Sequence, residues 1–221
     1  MIASGGYQGP AALSAMPRDM AQLSTRVAGG GLTVAVLAII ASIFNVEGGY
    51  VNNPRDPGGA TNHGITEQVA RAHGYKGAMK DLPKELARQI YFEDYIRAPG
   101  FDRLIELSAP VGEEAVDSGV NTGPAQPSRW LQIALNSLNR QGRDYAELKV
   151  DGQAGTKTMA AYTALQELRG KVETCRMIIK LMDAQQAAHY LRLTEGNSTY
   201  ETFMPGWIIN RIGNVPLEKC A

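Results

Sequence analysis

Glu47 and Asp56 stand nine residues apart in E-G-G-Y-V-N-N-P-R-D-P-G-G-A-T-N-H-G-I-T, residues 47–66, and they are the side chains best placed to do chemistry. Glu47 closes a strongly apolar stretch, with Phe44 and Val46 just before it. A carboxyl at a helix C-terminus among such neighbours is pushed toward its neutral form, since desolvation and the negative end of the helix dipole both disfavour the anion. Asp56 lies in a Pro/Gly turn open to water and stays ionised. One protonated acid and one carboxylate across a groove is the arrangement that breaks a glycosidic bond: the first protonates the leaving oxygen, and the second steadies the oxocarbenium-like sugar or directs water. Thr61 follows closely and either holds the attacking water or caps the turn. Tyr50, Asn62 and His63 are candidates to line a sugar subsite by stacking and hydrogen bonding, and Asn121, in V-N-T-G, is a further one.

The elements that must hold these residues read as helices. Residues 27–46 carry no charge, and Val36, Leu37, Ile40, Ile43 and Phe44 recur at helical spacing. This predicts a buried helix that delivers Glu47 at its end. A short hairpin is expected across 51–65, and Thr66 is a natural N-cap for a helix through Arg71. Pro83 is expected in the first turn of a helix running through D-L-P-K-E-L-A-R-Q-I-Y-F-E-D-Y-I, with Leu86, Ile90 and Tyr91 on one face. Further helices are expected at 112–119, 124–138, 157–168 and 172–193, with Trp130, Leu131, Ala134 and Leu138 buried. Gly119 is read as the end of its helix. The fold class is therefore mainly α, with at most a small β-hairpin near the candidate active site.

Residues 47–66 resemble the N-terminal signature of glycoside hydrolase family 108, whose pattern runs close to E-G-G-Y-x-N-x-P-x-D-P-G-G-x-T-x-x-G-I-T and is intact here. More distantly the spacing is similar to that of phage-type lysozymes, although Thr61 comes one residue early. D-S-G-V-N-T-G-P at 117–124, W-L-Q-I-A-L-N at 130–136 and V-D-G-Q-A-G-T-K-T at 150–158 resemble the predicted peptidoglycan-binding module fused behind such enzymes. The resemblance implies a lysozyme-like helical fold and an N-acetylmuramidase with Glu47 as general acid. It divides the chain into a tail at 1–31, a muramidase domain at 32–110, a peptidoglycan-binding-like domain at 111–214 and a tail at 215–221. Its first helix, about 28–46, doubles as a candidate signal-anchor-release segment.

That double role has a physical basis. Roughly 20 apolar residues suffice to span a bilayer, and Arg18 and Arg26 before the run with Glu47 after it favour an N-in, C-out orientation. No small-residue cleavage site follows, which argues against a cleaved signal peptide. While the run lies in lipid it cannot also be the core of the domain, so release would let the same side chains refold inward. The expected setting is the host inner membrane, a transient anchor, and then the periplasm, with the protein a phage endolysin for host cell lysis.

Composition narrows the rest. The chain has 221 residues, 44% of them hydrophobic and 20% charged, which is ordinary for a soluble globular protein. Lys plus Arg equals Asp plus Glu at 22 each, so no field of one sign draws it to nucleic acid. His63, His73 and His189 show no zinc spacing, so no metal and no cofactor are expected. Cys175 reads as a small buried residue on a helix, and a bridge to Cys220 is open to a protein in an oxidising compartment. The expected partners are peptidoglycan glycan strands, and a monomer is the expected state. Other readings remain open: a catalytically silent, membrane-anchored envelope protein that binds peptidoglycan, and a bacterial muramidase that assists secretion.

Overall fold

The computed structural model describes Val36, Ile39, Ile40, residues 49–52 and residues 59–221. Two compact units emerge, Met1–Phe92 and Glu93–Ala221. The architecture is mainly helical, with one two-stranded antiparallel sheet among the described residues.

In the first unit, Val36, Ile39 and Ile40 are helical and 4–5% exposed. Their i, i+3, i+4 spacing is one stripe of a helix turned inward, as the sequence implied for Val36 and Ile40. Leu37, Ile43 and Phe44 lie outside the described residues. Strands β1 (Thr61–Asn62) and β2 (Ile65–Thr66) form the hairpin, with Thr61 opposite Thr66 and Asn62 opposite Ile65. The connecting residues His63 and Gly64 have φ of 51° and 74°. Positive φ at both central positions marks the tight hairpin turn whose twist matches the strands, and Gly at the second position relieves it of steric cost. Thr66 then caps helix α1 (Glu67–Ala72), its side chain accepting from the Val69 N–H at 3.4 Å. A 3₁₀ turn (Met79–Asp81) leads to helix α2 (Lys84–Tyr91), which buries Ala87, Ile90 and Tyr91.

Two details of this region depart from expectation. Pro83 is the N-cap of α2, with φ −63° and ψ 134°, and lies just outside the first turn. The helix does not run on to residue 96 with one period: Phe92–Arg97 winds as a π-helix. Such widened turns are not visible in an apolar pattern.

The second unit is built on helix α7 (Lys171–Gly196), against which α4 (Ala109–Thr122), α5 (Ala125–Leu138) and α6 (Thr156–Arg169) pack. Ile178, Ile179 and Met182 of α7 meet Leu131 and Leu135 of α5 and Leu165 of α6 in a core where all are fully buried. Helix α3 (Phe101–Leu107) lies against α4 so closely that a Cβ on Gly112 would collide with Ile105. Gly119 does not end α4. It is a contact point, with a Cβ there meeting Pro124 Cα at 3.4 Å, and the helix continues to Thr122 before Gly123 at φ 80° stops it.

The motifs at 130–136 and 150–158 turn out to be two halves of one clasp. Gln132 Nε2 donates to Asp151 Oδ1 at 2.8 Å and to the Gln153 carbonyl at 2.9 Å, while Gln132 Oε1 accepts from the Gly152 N–H at 3.0 Å. Helix α8 (Met204–Arg211) and the 3₁₀ turn Leu217–Cys220 complete the unit. A Cys175–Cys220 disulfide pins that turn to α7, with the Cα atoms 5.7 Å apart. The bridge left open by the sequence is thus made, and Cys175 is 2% exposed.

Candidate active site

Glu47 and Asp56 lie outside the described residues. The second half of their motif is the hairpin itself. Thr61 is fixed on both edges of β1, for it pairs with Thr66 on one side. On the other it exchanges two backbone hydrogen bonds with Val51, each 2.8 Å. This bridge ties Tyr50 and Val51, 46% and 59% exposed, to the same small sheet. Tyr50 is therefore an exposed aromatic residue one position from the Val51–Thr61 bridge. Gly59 reaches this sheet with φ 77°, and a Cβ there would crowd Glu67 at 3.2 Å, so the second glycine of P-G-G has a steric reason.

Asn62 has a different task from the sugar contact expected of it. It is 4% exposed, and its Nδ2 donates to the Met79 carbonyl at 2.8 Å and the Lys80 carbonyl at 3.2 Å. The amide anchors the hairpin to the 3₁₀ turn. His63 occupies the first turn position at positive φ, half-buried. Tyr50, Thr61, Asn62 and His63 thus share one hairpin, while Asn121 belongs to the second unit, in the last turn of α4. Its Nδ2 is buried and lacks a hydrogen-bond partner among the described residues.

The residue that sequence reasoning missed is Glu114, seven positions before Asn121 on α4. It is 1% exposed; Oε1 accepts from Ser118 Oγ at 3.0 Å, and Oε2 is buried without a partner among the described residues. Burial pushes its pKa up to about 8, the negative charge of Asp183 adds to the rise, and the Ser118 hydrogen bond opposes it. Asp117, one turn on, is also raised: burial outweighs the pull of Arg211, even though Arg211 Nη1 stands 2.7 Å from Asp117 Oδ1. Asn214 Nδ2 donates to Asp117 Oδ2 at 2.8 Å, and Lys219 Nζ pairs with Glu113 at 2.7 Å. These bonds lash residues 211–219 to α4. The clue in the sequence was a glutamate on the face of α4 that also carries Val111 and Ala115. Among the described residues no cluster of His, Cys, Asp and Glu could hold a metal ion.

The profile of the glycosyl hydrolase 108 family matches residues 40–123. A second profile, described as a predicted peptidoglycan domain, matches residues 126–212. Among solved structures the chain is similar to one titled "Structure of Brucella abortus SagA", at 29% identity and a TM-score of 0.58. That likeness covers 83% of this chain and 92% of the other. A comparison with curated proteins returns no match.

Proposed function

Since residues 40–123 match the glycosyl hydrolase 108 family and residues 126–212 a predicted peptidoglycan domain, we propose that the chain hydrolyses the β-1,4 bond between N-acetylmuramic acid and N-acetylglucosamine, with Glu47 as general acid. The chain is a glycoside hydrolase that acts on peptidoglycan. The finer reading rests on one observation: the intact motif at 47–66 ends in a single ordered hairpin, with Val51 bridged to Thr61 and Thr66 capping α1. In sequence Asp56 lies between Val51 and Thr61, and Glu47 stands four residues before Val51. In this reading Glu47 protonates the bridging oxygen, Asp56 is the second carboxylate and Thr61 positions water. Tyr50 and His63 line the glycan path, and Asn62 holds the hairpin that carries them. Glu47→Gln lowers the rate by roughly 10²–10⁴-fold, the usual contribution of a positioned acid. The assay counts new reducing ends at muramic acid on bare peptidoglycan, and equal rates for the two proteins would end the assignment.

The setting proposed is that of a phage endolysin working in the periplasm as a monomer. The Cys175–Cys220 bridge supports it, because disulfides persist in oxidising compartments. Among the described residues no helix is long and apolar enough to cross a membrane. Most of the run at 27–46 lies outside them, and its role as a releasable anchor is part of the proposal. Fractionating cells before and after depolarisation tests it: the protein moves from membrane to soluble fraction, and a protein soluble at both times refutes the anchor.

A further inference from the structure

Between α5 and α7, well away in sequence from the 47–66 motif, lies a groove of about 280 Å³ bordered by Gln126, Arg129, Trp130, Ile133, Gln185 and Arg192. No carboxylate lines it. Its size falls just under the ~300–1,000 Å³ usual for a whole small ligand, so it takes part of a larger one. Trp130 borders the groove, and at 2% exposure it offers no open face on which a sugar ring could stack. Ile133, 41% exposed, supplies an apolar wall.

The rim is cationic. Arg71, Arg88, Arg97, Arg140 and Arg211 each pair with a carboxylate, whereas neither Arg129 nor Arg192 does among the described residues. Both are exposed at the groove. Arg129 is already oriented, since its Nη1 donates to the Val150 carbonyl at 2.9 Å, and a guanidinium has further N–H groups to give. Gln185 is held in the same way, its Nε2 donating to the carbonyls of Trp130 at 3.0 Å and Leu181 at 2.9 Å. Two guanidinium forks flanking an apolar slot recognise a carboxylate beside an aliphatic group, and they have nothing to offer a neutral sugar beyond weak hydrogen bonds.

We propose that this groove binds the stem peptide of peptidoglycan through its free carboxylates, so that the second unit reads peptide while the 47–66 region works on glycan. The assignment rests on the reading that the chain acts on peptidoglycan. Gln126 and Gln185 border the slot where peptide amides would lie, and Ile133 packs on an alanyl methyl.

The test is titration calorimetry on the full chain with three probes: the tetrapeptide L-Ala-γ-D-Glu-L-Lys-D-Ala, the same peptide with every carboxyl amidated, and chitotetraose as a carboxylate-free glycan. The free peptide binds, and amidation weakens binding at least tenfold. Arg192→Gln, at an exposed position with no hydrogen bond to lose among the described residues, weakens the free peptide at least fivefold while its circular dichroism matches that of the parent. Arg129→Gln gives a second variant with the same expected loss. Equal binding of free and amidated peptide overturns the proposal, as does unchanged affinity in both variants. Binding of chitotetraose that either substitution abolishes also overturns it, because the groove would then be a glycan site. Loss of reducing-end activity on peptidoglycan is a separate readout: an inactive parent that still binds the peptide removes the muramidase reading alone.

Discussion

Glu114 is a glutamate that keeps its proton at neutral pH. Its folded pKa is about 8 against an ordinary 4.5, chiefly because the carboxyl is buried. A folded value above the unfolded one means the contribution to stability is fully present below pH 4.5 and is lost as pH rises through 8. At about 1.4 kcal/mol per unit, the loss across that window is on the order of 4–5 kcal/mol as an upper bound. Glu114→Gln keeps a neutral group of the same shape at every pH. Thermal melts should therefore show the variant gaining on its parent from pH 5 to pH 8.5, with little difference at the acidic end; a difference constant with pH would refute the buried-acid account. Asp117 and His189 titrate too, and His189 is shifted down by burial and by Arg192. His189 has no part in the Glu114 shift and cancels in the comparison, whereas Asp117 and Asp183, whose charges raise the Glu114 pKa, are relieved of its charge in the variant. Nothing in the charge pattern of G-E-E-A-V-D singles out position 114 over 113; only packing separates the buried glutamate from the one that pairs with Lys219.

The hairpin depends on contacts from outside its own six residues, since so short a sheet has little stability of its own. Asn62 supplies two of them, to Met79 and Lys80. Asn62→Ala leaves those carbonyls without that donor and should cost about 1–3 kcal/mol. Urea unfolding measures the loss, and hydrolytic activity should fall with it because Thr61 loses its fixed place. Where the sequence spoke through local chemistry, the elements could be read. Thr66 is a cap because its hydroxyl has a donor three residues on, and Trp130, Leu131 and Ala134 face inward at helical spacing, whereas Leu138, expected with them, is only half-buried in the last turn of the helix. Helix α3, unassigned beforehand, is only seven residues long and starts after a left-handed glycine without a side-chain cap. Helix α8 was hidden by Pro205 and Gly206 in its first turn. Gly119 misled because a glycine inside a helix looks the same in sequence as one that ends it. Glu47 and Asp56 rest on the motif alone, since they lie outside the described residues, and at Asn62 the residue type stands out in the sequence while its partners, 17 and 18 positions away, do not.

At the scale of the molecule the physical and familial boundaries differ. The hydrolase match runs to residue 123 and the peptidoglycan match starts at 126, yet the compact units divide after Phe92. Helices α3 and α4 thus belong in sequence to the hydrolase match and in packing to the body built on α7. The segment that follows α8 is fastened to this body by Arg211, Asn214 and Lys219 on α4, by the Gly213 N–H on Asp183 and by the disulfide. The bridge closes a loop with a sequence separation of 45, which the chain-entropy model values at about 4 kcal/mol. A Cys175→Ser, Cys220→Ser pair should lower the thermal midpoint to the same degree as reductant lowers that of the parent; a parent indifferent to reductant would contradict it. The same body also holds both tryptophans of the chain, Trp130 beside His189 and Trp207 stacked on Tyr190 at 4.8 Å. Light absorbed by indole is therefore emitted from one half of the polypeptide only. Fluorescence and ellipticity followed together through one denaturation would time the two halves separately, with no label attached.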